Sequence, residues 1–165
     1  MKMTEEFNDL LVEGTRMLQN SQQLRAAELL EKAHEIDPEN FDAALNLSAA
    51  YILMGSFKKA VPLLENLVDR DEASAAVFTN LGAAYLGNPV LARDEDQLKA
   101  INAFNRALEV DPPAPNAAYN IGLIYRDRRE YDKAEEWFTK AVEDFPDDKD
   151  AENQILKIQK IKKQT

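Results

Sequence analysis

Small and apolar residues recur along this chain at fixed intervals. Alanines open four amphipathic runs, at Ala26, Ala60, Ala100 and Ala134, in steps of 34, 40 and 34 residues. Four places after each stands a bulky apolar residue: Leu30, Leu64, Phe104 and Phe138. Three places further come Ala33, Leu67, Ala107 and Ala141. Upstream of each run lies a small residue, Gly14, Ser48, Gly82 or Gly122, in steps of 34, 34 and 40. Three residues after these come Met17, Tyr51, Tyr85 and Tyr125. Spacings of three and four place such groups on one face of a helix. A sixth slot, which ends each run, holds Pro38, Glu72, Pro112 and Pro146. All six slots keep one register, and all place a single six-residue slip between Tyr85 and Ala100. A fixed period of this length predicts stacked copies of one helix-pair unit.

Each slot has a physical task. The small residue lets a second helix approach, and the Tyr or Met one turn later fills the space beside it. The alanine lies opposite, and the Leu or Phe a turn further seals the layer. Asp37-Pro38 and Asp111-Pro112 predict helix ends, because proline pushes the preceding residue out of the helical region. Asp132-Lys133-Ala134-Glu135 has the form of a capping box. Pro115 suits a first helical turn, where its missing N–H is not needed. Pro62 is expected near the first turn of its helix for the same reason.

These residues resemble the tetratricopeptide repeat, with residues 115–148 the nearest match through Gly122, Tyr125, Ala134, Phe138, Ala141 and Pro146. The resemblance covers about residues 7–148 and departs at Met17 and Glu72. It implies an all-α fold: a right-handed α-solenoid of antiparallel helix pairs, a superhelix of the tetratricopeptide-repeat type. The units run 7–40, 41–74, 75–114 and 115–148. Residues 1–6 are expected as a leader and 149–165 as a capping helix, with Ala151, Ile155 and Ile158 on one face. An end cap covers the apolar face that a solenoid would otherwise expose.

The resemblance further implies that first helices line a concave groove. Its lining would include Leu11 and Thr15, then Leu45, Asn46 and Ala49, then Thr79, Asn80 and Ala83, and finally Tyr119, Asn120, Leu123 and Arg126. Leu18, Ile52 and Leu86 stand between groove lining and helix packing. Leucine and alanine dominate, which suits an apolar peptide or an amphipathic helix. Asn46, Asn80 and Asn120 repeat once per unit, and an amide both donates and accepts, as a peptide backbone requires. Some relatives grip the terminal carboxylates of heat-shock chaperones with Lys, Asn and Arg on these helices. Here Asn46 alone remains and the other places hold Leu11, Thr15, Thr79 and Ala83, so that ligand is not expected.

The six extra residues fall around Asn88-Pro89 within 87–97 and are expected to protrude as a long loop. The acidic run Asp94-Glu95-Asp96 lacks the spaced ligands and glycine of a calcium loop. Arg126, Arg128 and Arg129 form a charged turn, partly neutralised by Asp127 and Glu130.

Composition narrows the function. The chain has 165 residues, 20 basic against 30 acidic, a formal net charge of −10. That charge repels phosphate backbones, so nucleic acid is not an expected partner. With no cysteine, disulfides and thiolate metal sites are excluded. No run approaches the roughly 18 apolar residues of a membrane span, no secretory leader is evident, and the cytoplasm is the expected compartment. His34, the single histidine, is expected at the surface between Glu31 and Glu35. No phosphate-binding glycine loop is present, so no enzyme activity, cofactor or metal is expected. The expected function is a scaffold binding a peptide or helix of another protein, as adaptor or assembly factor. The alternatives are self-assembly through repeat ends or the terminal helix, and a chaperone for an apolar segment.

Overall fold

The computed structural model describes residues 2–70 and 72–164. Among them every regular element is a helix. Their order is α1 Lys2–Gln19, α2 Gln23–Ile36, α3 Phe41–Leu53, α4 Phe57–Leu67, α5 Ala75–Leu86, α6 Asp94–Val110, α7 Ala117–Asp127, α8 Tyr131–Asp144 and α9 Lys149–Lys162. Each helix packs on its neighbours in sequence, and α3 also touches α1 and α5. First helices therefore lie side by side in one layer and second helices in another: an all-α solenoid. Residues 2–6, expected as a leader, are helical and continue α1.

The repeat slots are the core. Ala26, Ala60, Ala100 and Ala134 are fully buried, as are Leu30, Leu64, Phe104 and Phe138. The small residues let these bulky partners in. A Cβ added at Gly82 would sit 2.7 Å from the Phe104 ring, one at Gly122 2.8 Å from Phe138, and one at Gly14 2.7 Å from Leu30. Ser48 manages the same task with a hydroxyl, which donates to the Leu45 carbonyl at 2.7 Å and stays within its own helix. Its bulky counterpart is Leu64 rather than phenylalanine.

The tyrosine slot does more than fill space. The Tyr51 hydroxyl donates to Glu31 at 2.5 Å, and Tyr85 donates to Glu65 at 2.7 Å. Both reach back twenty residues, to the second helix of the preceding unit. Within the tyrosine's own unit, Lys59 lies 5.0 Å from the Tyr51 ring centre and Lys133 5.1 Å from that of Tyr125, within cation–π range. The Tyr51 ring thus joins second helices of two successive units.

Turns inside the units share a left-handed residue: Ser21 (φ 57°), Gly55 (φ 72°) and Arg129 (φ 61°) occupy one register position. Behind it, the N–H groups of Gln22, Ser56 and Glu130 close onto the carbonyls of Met17, Tyr51 and Tyr125. This is the usual left-handed helix ending, which glycine adopts without steric cost.

Several local expectations change. Asp132 and Glu135 form no capping box; no side chain caps α8. Both carboxylates take Lys162 of α9, at 2.6 and 2.9 Å, because a full charge on the adjoining helix outcompetes a backbone N–H. Pro115 stands two residues ahead of α7, whose N-cap is Asn116 in the left-handed region. Pro62 is the sixth residue of α4, inside the helix, where it removes the bond to the Lys58 carbonyl. At only 11 residues, α4 is shorter than α2 or α8. His34 is half-buried, and its Nδ1 is covered without a hydrogen-bond partner. The same register slot holds Val68, Leu108 and Val142 in the other units, so this is a packing position.

The six extra residues divide between helix and loop. The second helices begin three residues before the slot alanine in three units, but six before Ala100. The remainder lengthens the loop, where Val90 and Leu91 are 88% and 76% exposed. Each acid of the run 94–96 has a basic partner: Asp94 holds Arg128, Glu95 takes Lys99 at 2.9 Å and Asp96 takes Arg93 at 3.1 Å. The added helical turn thus binds the α7–α8 turn of the next unit.

Three outcomes follow from this packing. Gly82→Ala should lower stability by about 1–2 kcal/mol in denaturant titration, because overpacking against the buried Phe104 outweighs the gain in helix propensity. Adding Phe104→Leu to Gly82→Ser copies the Ser48–Leu64 pair and should recover most of that loss. Arg129→Gly should raise stability by about 0.5–1 kcal/mol, the left-handed strain relieved less the added unfolded-state entropy.

The tyrosines predict an alkaline weakness. Burial, then the Glu65 hydrogen bond and charge, pushes Tyr85 up to about 12, and the same causes raise Tyr51 through Glu31. The unfolded chain then loses these protons first, so their stabilisation is complete below about pH 10 and fades as pH rises towards 12. The Tyr51→Phe/Tyr85→Phe double variant should lose less stability than the parent between about pH 10 and 12.

Candidate functional site

The layer of first helices carries all twelve residues expected to line a groove. Every one of them is half-buried. The heptad-like offsets that put Gly14 and its counterparts against the second helix turn these neighbouring positions towards the adjoining first helices. Of the three ambiguous leucine-type positions, Leu86 is buried in the core, while Leu18 and Ile52 pack partly against it.

The chain uses some of these groups internally. The Asn46 amide donates to the Thr15 hydroxyl at 3.0 Å, and that hydroxyl donates to the Leu11 carbonyl at 2.7 Å. This relay ties α3 to α1. Arg126 gives Nη1 to Gln154 of α9 at 2.8 Å and the rest of its guanidinium to Asp127. Tyr119 stacks edge-on against Phe138, ring centres 5.5 Å apart. Tyr119 and Leu123 both pack against the cluster built on Phe138 and Ile158. The cap therefore leans on the fourth unit's share of the layer.

The repeated amides have unlike fates. Asn46 finds a hydroxyl on the preceding first helix. Asn120 turns to the Asn116 carbonyl of its own first turn, at 2.9 Å. For Asn80 the side chain meets no partner among the described residues, and the corresponding place on the preceding helix is Ala49. The Thr79 hydroxyl beside it is likewise without one. Leu45, Ala49, Thr79, Asn80 and Ala83 thus form a strip on α3 and α5 with open amide and hydroxyl groups among small and apolar side chains. The strip itself contains no charged residue.

Two features escaped sequence reasoning. Gln154 continues the amide series one step of 34 beyond Asn120, and it is buried against Arg126. The tyrosine–glutamate pairs also recur, at a constant separation of twenty. Both spacings are present in the sequence but become meaningful only once the neighbouring helix is placed. As for α9, Ala151, Ile155 and Ile158 hold the register of Ala117, Ile121 and Ile124, so it occupies the place of a fifth first helix. Its small-residue slot carries Leu156, 63% exposed, a side chain too large for the close approach a fifth second helix would need. At the opposite end, Asp9, Glu13 and Arg16 replace the buried apolar residues of that register, with Arg16 paired to Glu13 at 2.6 Å. Among the described residues no helix is long and apolar enough to cross a membrane.

Comparisons with known proteins agree with this architecture. Family models described as the tetratricopeptide repeat match residues 17–87 and 89–149. A Photosystem I assembly protein, Ycf3, of Prochlorococcus marinus is 33% identical over 95 residues, 53% of this chain and 49% of its own. A peroxisomal targeting signal receptor of Yarrowia lipolytica is 28% identical over 141 residues, 82% of this chain and 23% of its own. The chain thus spans half or less of the length of these relatives. Among solved structures, MamA from Desulfovibrio magneticus RS-1 superposes with a TM-score of 0.73 at 26% identity, covering 87% of this chain and 77% of that one. A thermophilic protein of Thermus thermophilus shares the fold, with a TM-score of 0.76 at 21% identity over 92% of this chain and 80% of its own. Register, packing and these likenesses converge: the chain belongs to the tetratricopeptide repeat family, whose repeats are scaffolds for protein interactions.

Proposed function

We propose that this chain is an adaptor or assembly factor that holds an apolar, extended or helical segment of a partner protein along its layer of first helices. The observation that carries this reading is the strip on α3 and α5. There the Asn80 amide and Thr79 hydroxyl are unused within the chain, beside Leu45, Ala49 and Ala83. Apolar area supplies affinity for such a segment, and an amide that both donates and accepts supplies register on its backbone. The apolar end of the groove at Tyr119 and Leu123 is shared with the cap, so the central units offer the accessible part. Relatives named as a Photosystem I assembly protein and a peroxisomal targeting signal receptor favour the same class of role. A charge-rich chain without cysteine suits the reducing cytoplasm.

The test is partner capture. Leu45→Glu with Ala83→Glu places two carboxylates on half-buried positions of the strip, and Asn80→Leu removes the amide. Cross-linking mass spectrometry on the parent should map a partner segment to α3 and α5. The double glutamate variant should retain its helical circular dichroism while capture falls at least about ten-fold, the effect of roughly 1.4 kcal/mol. Undiminished capture by a folded double variant overturns the reading.

A further inference from the structure

The fourth unit breaks the repeat at one place the fold does not explain. The position after its second helix is Phe145, where the sequence of the other three units has Asp37, Asp71 and Asp111. Phe145 is 39% exposed, so it is not there to fill the core. It instead forms one wall of a cleft of about 100 Å³ between the start of α7, the end of α8 and the start of α9. Ala114, Pro115, Ala118, Tyr119 and Ala141 form the rest of the apolar lining, and Asn116, Asp144 and Asp148 supply its polar edge.

Size and charge together select an occupant. The cleft offers about 100 Å³ between apolar walls, room that suits a single unbranched stem. The rim is anionic. Residues 143–150 contain five carboxylates and one lysine, and that lysine, Lys149, is bridged to Glu152 at 3.0 Å. Asp144 is bridged by Lys140 at 3.2 Å. Asp148 uses only Oδ1, which accepts the N–H groups of Asp150 and Ala151 at 3.0 and 3.1 Å. Its second oxygen is left for another donor. An aliphatic stem that ends in a cation satisfies both halves of the site, because long basic side chains bury their methylenes and keep the charge at the rim.

We propose that this cleft is a subsite for one lysine side chain of the bound partner segment, its stem between Tyr119 and Phe145 and its ammonium at Asp148. The idea rests on the groove reading above, since Tyr119 belongs to both the cleft and the first-helix layer. It adds a sequence requirement: an apolar segment with a lysine at the end that meets the fourth unit.

The test uses a small probe rather than an unidentified partner. The ¹⁵N-labelled full chain is titrated with Nα-acetyl-lysine methylamide, and with the norleucine counterpart, which keeps the stem and lacks the charge. The lysine probe should shift amides within 114–119 and 141–148, with a Kd on the order of millimolar. The norleucine probe should bind at least about five-fold more weakly. Two variants separate the parts. Phe145→Ala removes the wall without adding charge, and Asp148→Asn keeps a capping side chain while removing the charge; each should weaken the lysine probe at least about five-fold. Equal binding of both probes, shifts elsewhere only, no shifts at on the order of 50 mM probe, or unchanged binding by the folded Phe145→Ala variant overturns the proposal. Because the probe touches only the cleft, a negative result here leaves the strip on α3 and α5 standing, and undiminished capture by the strip variant, which overturns the groove reading, is read independently of the probe.

Discussion

Everything in this solenoid follows from one close contact, repeated in each unit. A residue with little or no side chain on the first helix admits a large apolar group from the second. Gly82 against Phe104 and Gly122 against Phe138 leave no room for even one carbon. That approach fixes the distance and rotation of each helix pair. With the rotation fixed, one face of the first helix turns inward to its partner and another turns to the neighbouring first helices. The position of the candidate binding strip is therefore a consequence of these small residues on the other face of the first helices.

Between units a different set of forces operates. Apolar burial is the larger contribution, since Ala43, Leu47, Val77, Leu81, Ala117 and Ile121 are almost wholly buried. Charged and aromatic groups then set the register: Tyr51 on Glu31, Tyr85 on Glu65, Arg128 on Asp94, and Lys162 on Asp132 and Glu135. Individually the exposed ion pairs among them contribute little stability. Their common feature is that each joins one unit, turn or cap to the next. The extra turn at the start of α6 belongs with them, because it places Asp94 where Arg128 can meet it.

The amide slot shows how one repeated residue acquires several roles. Asn46, Asn80, Asn120 and Gln154 share one register position on the layer of first helices. Thr15 and Arg126 give two of them a partner there. Asn120 bonds back to its own helix, and Asn80 faces Ala49 without a partner. A neighbour two helices away decides whether an identical side chain is structural or open to a ligand.

The period of 34 residues, its six-residue slip, the helix-pair architecture and the core positions were all determined by the sequence itself. They are local: side chains three or four residues apart share a helix face whatever surrounds them. That the twelve candidate residues share the layer of first helices was legible for the same reason, as positions on a face. Only the tertiary structure decided which of those groups are occupied. It turned Asp132 and Glu135 from a helix cap into anchors for Lys162, half-buried His34 in a packing slot, and split the insertion between helix and loop. It also set Phe145 beside Tyr119 and Asp148. Those outcomes depend on helices far apart in the chain, where competition among several partners at hydrogen-bonding distance is settled by geometry that no local spacing contains.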